Sequence, residues 1–339
     1  MTGENKLTCV KFQVGFACNL ACSFCLVQEQ NTTQDLSIST AEHALSDPVL
    51  RRQLKRVVIT GGEPTMGRYL PTTMAIARCA TALGAESTIY SNGTLLTDAV
   101  IRKLHAVGLT EIRLSLYEPV DWVRMKKTLD AMEEHGFNRF IKVTVTRKTF
   151  FLLPALLERL PSLRPSRFQI KPFNQTGIVK VDAVEEMTPR QVLSMARLML
   201  DYRRRVPFRV DLLPLCYEFL VESVPDEFVC RCNCGKGGEG YLVINPNGDV
   251  LPCGAYAQTV GNLNCADSVS LTEMWNKSSF LDTIRKIEKQ PADECHDCVH
   301  LRQCLTNDCH STTFNFYGGF TRGNPQCPIL ARKRFPAEG

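Results

Sequence analysis

No stretch of this 339-residue chain reaches the roughly 18 consecutive apolar residues that a membrane-crossing helix requires. Its polar beginning, Met1–Lys6, has none of the apolar core of a secretory signal, so a cytoplasmic protein is expected. Charge is nearly balanced. The net value of +5 includes one dense basic run, Arg203-Arg204-Arg205, and that run falls where a helix should end and where cations complement the helix dipole. Neither a membrane nor nucleic acid is therefore an expected partner. Histidine is scarce: the six form no constellation, and His296, His300 and His310 read as solvent-facing loop residues. Cysteine is the exception, with sixteen copies. In a chain this long without a secretion signal, metal ligation explains that number better than disulfides. The length allows one large core or two domains.

From residue 7 to about 206, strand-like segments alternate with helical ones. The strands are expected at 7–15, 56–62, 87–92, 111–117, 140–147 and 167–173. The helices are expected at 40–54, 69–84, 98–107, 120–135, 154–160 and 188–205. Trp122, Met125, Leu129 and Met132 recur at helical spacing and should pack against the sheet. Thr188-Pro189 offers a cap and an N1 proline to the last helix. Six βα units predict an α/β fold, a parallel sheet curved into a partial (β/α)6 TIM-like barrel over residues 1–206. After Pro207 helical periodicity fades, and eleven of the sixteen cysteines fall between Cys216 and Cys327. That shift predicts a smaller, Cys-rich domain over residues 207–339.

Several strands alternate in polarity where buried parallel strands are usually apolar throughout. Val10, Phe12 and Val14 oppose Cys9, Lys11 and Gln13; Ile112, Leu114 and Leu116 oppose Arg113, Ser115 and Tyr117. Ile141, Val143 and Val145 oppose Lys142, Thr144 and Thr146, and Phe168 and Ile170 oppose Gln169 and Lys171. If the apolar faces meet the helices, the lumen carries Lys11, Arg113, Lys142 and Lys171, which cannot make a dry core. Such a lumen suits a polar, anionic ligand; the competing reading pairs these cations with carboxylates at the barrel floor.

The most specific pattern is Cys18-Asn-Leu-Ala-Cys22-Ser-Phe-Cys25, three thiols in one loop with no further cysteine before Cys79. A [4Fe–4S] cluster usually takes four cysteines, so three leave one iron open; a zinc loop is the other reading of such spacing. The triplet resembles the signature of the radical S-adenosylmethionine (AdoMet) superfamily. In that family the open iron chelates AdoMet and cleaves it reductively to a 5′-deoxyadenosyl radical. The second expected strand ends in Gly61-Gly62-Glu63-Pro64, similar to the family's Gly-Gly-Glu motif, which holds the AdoMet amino group. By the same resemblance Ser91, Asn92 and Ser115 are candidates for the ribose, Arg147 for the AdoMet carboxylate and Phe24 for the adenine. All sit at C-terminal strand ends, where such barrels keep their chemistry.

The C-terminal cysteines are ordered Cys234, Gly248, Cys253, then Cys295-x2-Cys298-x5-Cys304-x4-Cys309, then Cys327. With the hairpin Tyr241–Cys253 and its Asn247-Gly248 turn, this resembles the SPASM extension of radical AdoMet enzymes, which carries two auxiliary [4Fe–4S] clusters. The last gap is four residues where the family pattern has three. The resemblance implies one auxiliary cluster on Cys234, Cys253, Cys309 and an upstream cysteine, with Cys230 favoured over Cys232 and Cys216. It implies another on Cys295, Cys298, Cys304 and Cys327, giving three clusters in all. A pair of zinc ribbons is the alternative. Cys9, Cys79 and Cys265 fall outside every motif and read as buried small hydrophobes. Cys216, unligated in the favoured assignment, is a candidate hydrogen-atom donor to a substrate radical.

The function implied is a radical AdoMet oxidoreductase driven by an external one-electron reductant of flavodoxin or ferredoxin type. The cationic lumen favours a polar small-molecule substrate: a sugar, aminocyclitol or nucleoside. So does a first strand that begins near residue 7, which is expected to leave no room for a leader-binding domain. A peptide- or protein-modifying maturase is the alternative. A non-catalytic iron–sulfur or zinc protein binding nucleic acid is the reading from another class, and it leaves Gly61-Gly62-Glu63 unexplained.

Overall fold

Seven parallel strands form one after another: β1 (Cys9–Gln13), β2 (Arg56–Thr60), β3 (Glu86–Ser91), β4 (Glu111–Leu116), β5 (Phe140–Val145), β6 (Arg167–Pro172) and β7 (Arg209–Leu212). Each pairs with its predecessor in register, from Cys9 opposite Arg56 to Ile170 opposite Leu212. These strands belong to a computed structural model that describes residues 6–25, 27, 34–173, 185–212, 240–265, 268–287, 292–301, 309–325, 327 and 329–330. Six of the strands match the segments expected from alternation. The seventh, four residues between Pro207 and Pro214, is too short to carry a pattern.

Between the strands run α1 (Ile38–Leu45), α2 (Leu50–Gln53), α3 (Leu70–Ala82), α4 (Asp98–Ala106), α5 (Trp122–Glu134), α6 (Leu153–Arg159) and α7 (Pro189–Arg203). Their starts are chemical. Ser37, Thr97 and Asp121 accept from the backbone N–H of Thr40, Val100 and Arg124, and Thr188 with Gln191 forms a full capping box on α7. The single helix expected over 40–54 is two short ones. Pro48, with no N–H to donate, falls in the break between them. The inward faces bury Ile101, Leu104, Leu129 and Met132 completely against Val10, Phe12, Ile112 and Leu114 of the sheet. Each such side chain contributes about 1.5–3 kcal/mol.

The sheet does not stop at β1. Beyond it lie β8 (Tyr241–Ile244), β9 (Asp249–Leu251) and β10 (Gly261–Asn262), so the full order is β10-β9-β8-β1-β2-β3-β4-β5-β6-β7. β8 runs parallel to β1, with Cys9 opposite Tyr241 and Phe12 opposite Ile244, and β9 returns antiparallel. The Cys-rich region therefore contributes the strand next to the one that leads into the cysteine loop. Two more bonds fasten this joint. Asp47 accepts from the N–H of Thr272 in α8 (Leu271–Lys277) at 3.0 Å, and Thr40 donates to Asn264 at 2.8 Å. Burial alone would raise the Asp47 carboxyl; the bonds from Thr272, Val49 and Ser270 hold it below the usual range. α9 (Ser279–Lys286) and α10 (His310–Tyr317) complete this region, where Tyr256, Phe280, Phe314 and Phe320 stack together. His310, expected in solvent, is buried at the start of α10. Among the described residues, no helix is long and apolar enough to cross a membrane.

Candidate active site

The cysteine loop leaves β1 through Gly15, where any side chain would collide with the Tyr69 ring at 2.3 Å. Tyr69 is itself buried, and its phenol oxygen accepts the N–H of Ala17 at 3.0 Å, directly before Cys18. From β2 the Gly-Gly-Glu segment closes against the same loop. Gly62 N–H donates to the Gly15 carbonyl at 2.7 Å and Glu63 N–H to the Ala17 carbonyl at 3.1 Å. Gly61 sits at φ +135, and a Cβ on Gly62 would lie 1.8 Å from the Ala17 oxygen. Only glycine allows this approach.

Glu63 is fully buried and saturated with donors. One carboxylate oxygen accepts from Ser91 Oγ at 2.8 Å, from the Thr65 N–H at 3.1 Å and from the Thr65 hydroxyl. The other accepts from the Asn92 N–H at 2.7 Å. Asn92 in turn reaches Asn19 at 3.0 Å and the Cys18 sulfur at 3.6 Å. Glu63, Ser91, Asn92 and Cys18 thus form one patch at the ends of β2 and β3.

On the far side the loop is tied by Ser23, which donates to the buried Glu185 carboxylate at 2.9 Å, and Lys148 donates to the same oxygen at 2.7 Å. Arg147 is steered by this segment: its N–H goes to the Glu185 carbonyl and its Nε to that of Glu186. Phe24, between Cys22 and Cys25, lies with ring centroids 5.7 Å from Tyr117 and 6.2 Å from Phe173. With Tyr117, Val143, Thr144, Val145 and Leu153 it lines a small cleft, partly open to solvent. Burial pushes the Tyr117 phenol up to about 12 despite a hydrogen bond with Ser115. The expected nucleotide contacts Phe24, Ser91, Asn92, Ser115 and Arg147 therefore all lie around the mouth of the barrel.

The donor set fits an iron–sulfur cluster. Every one of the eleven described cysteines is free of disulfides. Burial, together with the neighbouring Cys25 and Cys18, raises Cys22 to about 11, so the three thiols share one electrostatic neighbourhood. Among the described residues no three ligand-type side chains converge tightly enough for a single metal ion.

In the Cys-rich region, contacts between segments bring cysteines toward one another. Asn315 of α10, just after Cys309, donates to the Ala255 carbonyl at 2.6 Å and accepts from the Ala257 N–H, beside Cys253. Glu294 accepts from Arg322 and Gly323, and Gly323 lies against the Cys295 sulfur, four residues before Cys327. These contacts join the segment of Cys253 to the helix that follows Cys309, and the segment of Cys295 and Cys298 to the one that leads to Cys327. Cys216, Cys230, Cys232, Cys234 and Cys304 lie outside the described residues. Cys265 is exposed after β10 and Cys9 and Cys79 are half-buried, so the expectation of three buried small hydrophobes is corrected.

A model of the radical SAM superfamily matches residues 12–146, and one of the SPASM iron–sulfur cluster-binding domain matches residues 232–299. The Fe-coproporphyrin III synthase of Methanosarcina barkeri is 30% identical, over 96% of this chain and 88% of that protein. The chain belongs to the radical SAM superfamily. This radical SAM/SPASM enzyme also resembles the AdoMet-dependent heme synthase of Oleidesulfovibrio alaskensis, at 22% identity over 99% of this chain and 91% of that one. The PqqA peptide cyclase of Granulibacter bethesdensis is 23% identical over 92% of this chain and 84% of its own. Native anSMEcpe with bound AdoMet and Cp18Cys peptide superposes with a TM-score of 0.72 at 16% identity, covering 98% of this chain and 97% of that one, which shows the shared fold.

Sequence reasoning missed Tyr69, Thr65, Tyr117, Lys148 and Glu185. None belongs to a motif; Tyr69, Thr65, Tyr117 and Glu185 each touch one, and Lys148 acts through Glu185. Only Tyr117, on the lumen face beyond β4, carried a periodicity signal.

Proposed function

We propose that this enzyme modifies a peptide or protein substrate. When bound, AdoMet and its cluster supply a 5′-deoxyadenosyl radical able to abstract hydrogen from a C–H bond. Cys18, Cys22 and Cys25 hold that cluster, and Glu63, Ser91, Asn92, Ser115 and Arg147 orient AdoMet. Phe24 and Tyr117 offer the apolar slot that a purine ring fills. Cys253 and Cys309 serve one auxiliary cluster and Cys295, Cys298 and Cys327 another, with the remaining ligands from Cys230, Cys234 and Cys304. Iron and sulfide near ~12 per chain would agree with three clusters.

The observation that carries the peptide reading is the state of the lumen. Arg113 pairs with Glu111 and stacks on Tyr90 and Phe140, Lys142 lies 4.5 Å over Tyr90, and Arg167 pairs with the buried Asp211. Two of the four cations that suggested a small anionic substrate, Arg113 and Lys142, are thus engaged within the barrel, Arg113 with a carboxylate as the floor-pairing reading required. End-to-end similarity to PqqA peptide cyclases supports the same choice. A small polycarboxylate is the second reading, favoured by Lys11 and Lys171 on the lumen face and by the relatives named heme synthase and Fe-coproporphyrin III synthase.

The test is anaerobic turnover with AdoMet and a flavodoxin-type reductant, using peptides encoded near the gene in one arm and polycarboxylate tetrapyrroles in the other. A mass change in a peptide, matched by 5′-deoxyadenosine, is the expected result. Turnover confined to the tetrapyrrole arm overturns it.

A further inference from the structure

Gln13 is the last residue of β1 and is only 2% exposed, yet its Oε1 finds no hydrogen-bond partner. Its strand alternates Val10, Phe12 and Val14 into the helix-facing core, so Cys9, Lys11 and Gln13 face the lumen. β8 lies alongside in parallel register, Lys11 opposite Val243 and Phe12 opposite Ile244. One residue further on, Asn245 follows Ile244 as Gln13 follows Phe12. Asn245 therefore falls on the same lumen face, on the strand next to Gln13, about 4.8 Å away along the hydrogen-bonding direction. Its Oδ1 is also buried and without a partner.

Among the described residues, other buried side-chain atoms in this condition belong to Ser87, Arg139, Thr272 and Thr312. Ser87 shares the helix-facing side of β3 with Ile89, Arg139 precedes β5 at the barrel floor, and the rest lie in the Cys-rich region. Among the described residues, the seam where β8 joins β1 thus holds two neighbouring carboxamide oxygens that face the lumen. Behind them stands Gly254, next to Cys253. A Cβ there would lie 3.0 Å from the Gln13 Nε2, so the glycine gives the amide its room.

A buried acceptor left unmade is costly, and two side by side call for a ligand that brings donors. We infer that Gln13 and Asn245 form a substrate-binding pair that accepts hydrogen bonds from N–H groups, backbone amides in the first instance. This deepens the peptide reading of the same enzyme and rests on it for the choice of amide over other N–H donors. The pair sits between the strand that leads to Cys18 and the segment that holds Cys253, so it would fix the substrate between the two cysteine neighbourhoods.

The experiment compares wild-type holoenzyme with Gln13→Leu, Asn245→Leu and the double variant, all reconstituted anaerobically. Iron content and AdoMet binding should be unchanged, and without substrate the Tm should hold or rise, because an unpartnered buried acceptor has been removed. An end-blocked tripeptide should stimulate 5′-deoxyadenosine formation in the wild type, with its half-saturating concentration raised about tenfold in each variant, the loss of one hydrogen bond. Methylguanidinium, a small N–H donor, should raise the Tm of the wild type and not of the double variant. If the tripeptide is inert while methylguanidinium still discriminates, the donor-binding pair stands and the peptide reading falls. A large loss of Tm or iron in the single variants, or equal responses of all proteins to both probes, overturns the pair.

Discussion

The two cysteine neighbourhoods are held in different ways. The loop of Cys18, Cys22 and Cys25 is short in sequence and fixed from several sides by regular structure: Tyr69 on Ala17, the β2 glycines on Gly15 and Ala17, Glu185 on Ser23. The later cysteines come from segments up to seventy-four residues apart, Cys253 to Cys327, and are joined by contacts between loops such as Glu294 with Arg322 and Asn315 with Ala255. In the first case the barrel prepares the ligands, and removing metal should leave the scaffold standing. In the second, ligands of distant origin make metal binding part of folding itself.

The sharpest way to break this contrast is to delete each set. Replacing Cys18, Cys22 and Cys25 together with Ala should abolish 5′-deoxyadenosine formation and remove about four irons, with little change in Tm. Loss of all iron together with solubility would mean that both neighbourhoods depend on one another. Cys253→Ala should act the other way, lowering Tm by several degrees and costing at least about 2–3 kcal/mol, because a cluster ligand is lost from a region that folds around it. An unchanged melting curve would place Cys253 outside any cluster.

Two smaller changes sharpen the contrast. Tyr69→Phe leaves the Ala17 N–H without its acceptor, at about 1 kcal/mol. It should speed iron loss to a chelator from the first cluster alone, read as a biphasic release curve whose fast phase grows by one cluster. Asp47→Ala removes the barrel's cap on Thr272 at the start of α8 and should cost about 0.5–2 kcal/mol of stability, with AdoMet cleavage retained. Loss of cleavage would show that the joint reaches the first loop.

Much of this was legible in residues. Alternation in β1, β4, β5 and β6 placed both faces correctly, since a strand between helices and a wet lumen must alternate. The cysteine triplet and Gly61-Gly62-Glu63 were readable because their chemistry is compact in sequence. What escaped depends on distance. Nothing in Tyr241–Ile244 announces that it pairs with β1 and not only with its own hairpin partner. Glu185 and Tyr69 reach the cysteine loop from 162 and 52 residues away. The lumen cations misled for a related reason: the sequence displays Arg113 and Lys142 as charges, while their stacking on Tyr90 of β3 arises only when the strands align, and only the pairing of Arg113 with Glu111, two residues back on β4, is local.

The parallel pairing of β8 with β1 also acts as a ruler. Electron transfer falls steeply with distance, and here the span between the strand feeding Cys18 and the hairpin feeding Cys253 is set by strand register. A slip of one residue would displace the hairpin by about 3.3 Å and turn Val243 and Asn245 away from the lumen. The core-facing Leu242 and Ile244, both fully buried, guard against that slip. With clusters on both cysteine sets as proposed, the hydrophobic core of the barrel would set their redox spacing, and a mutation far from any sulfur would detune it.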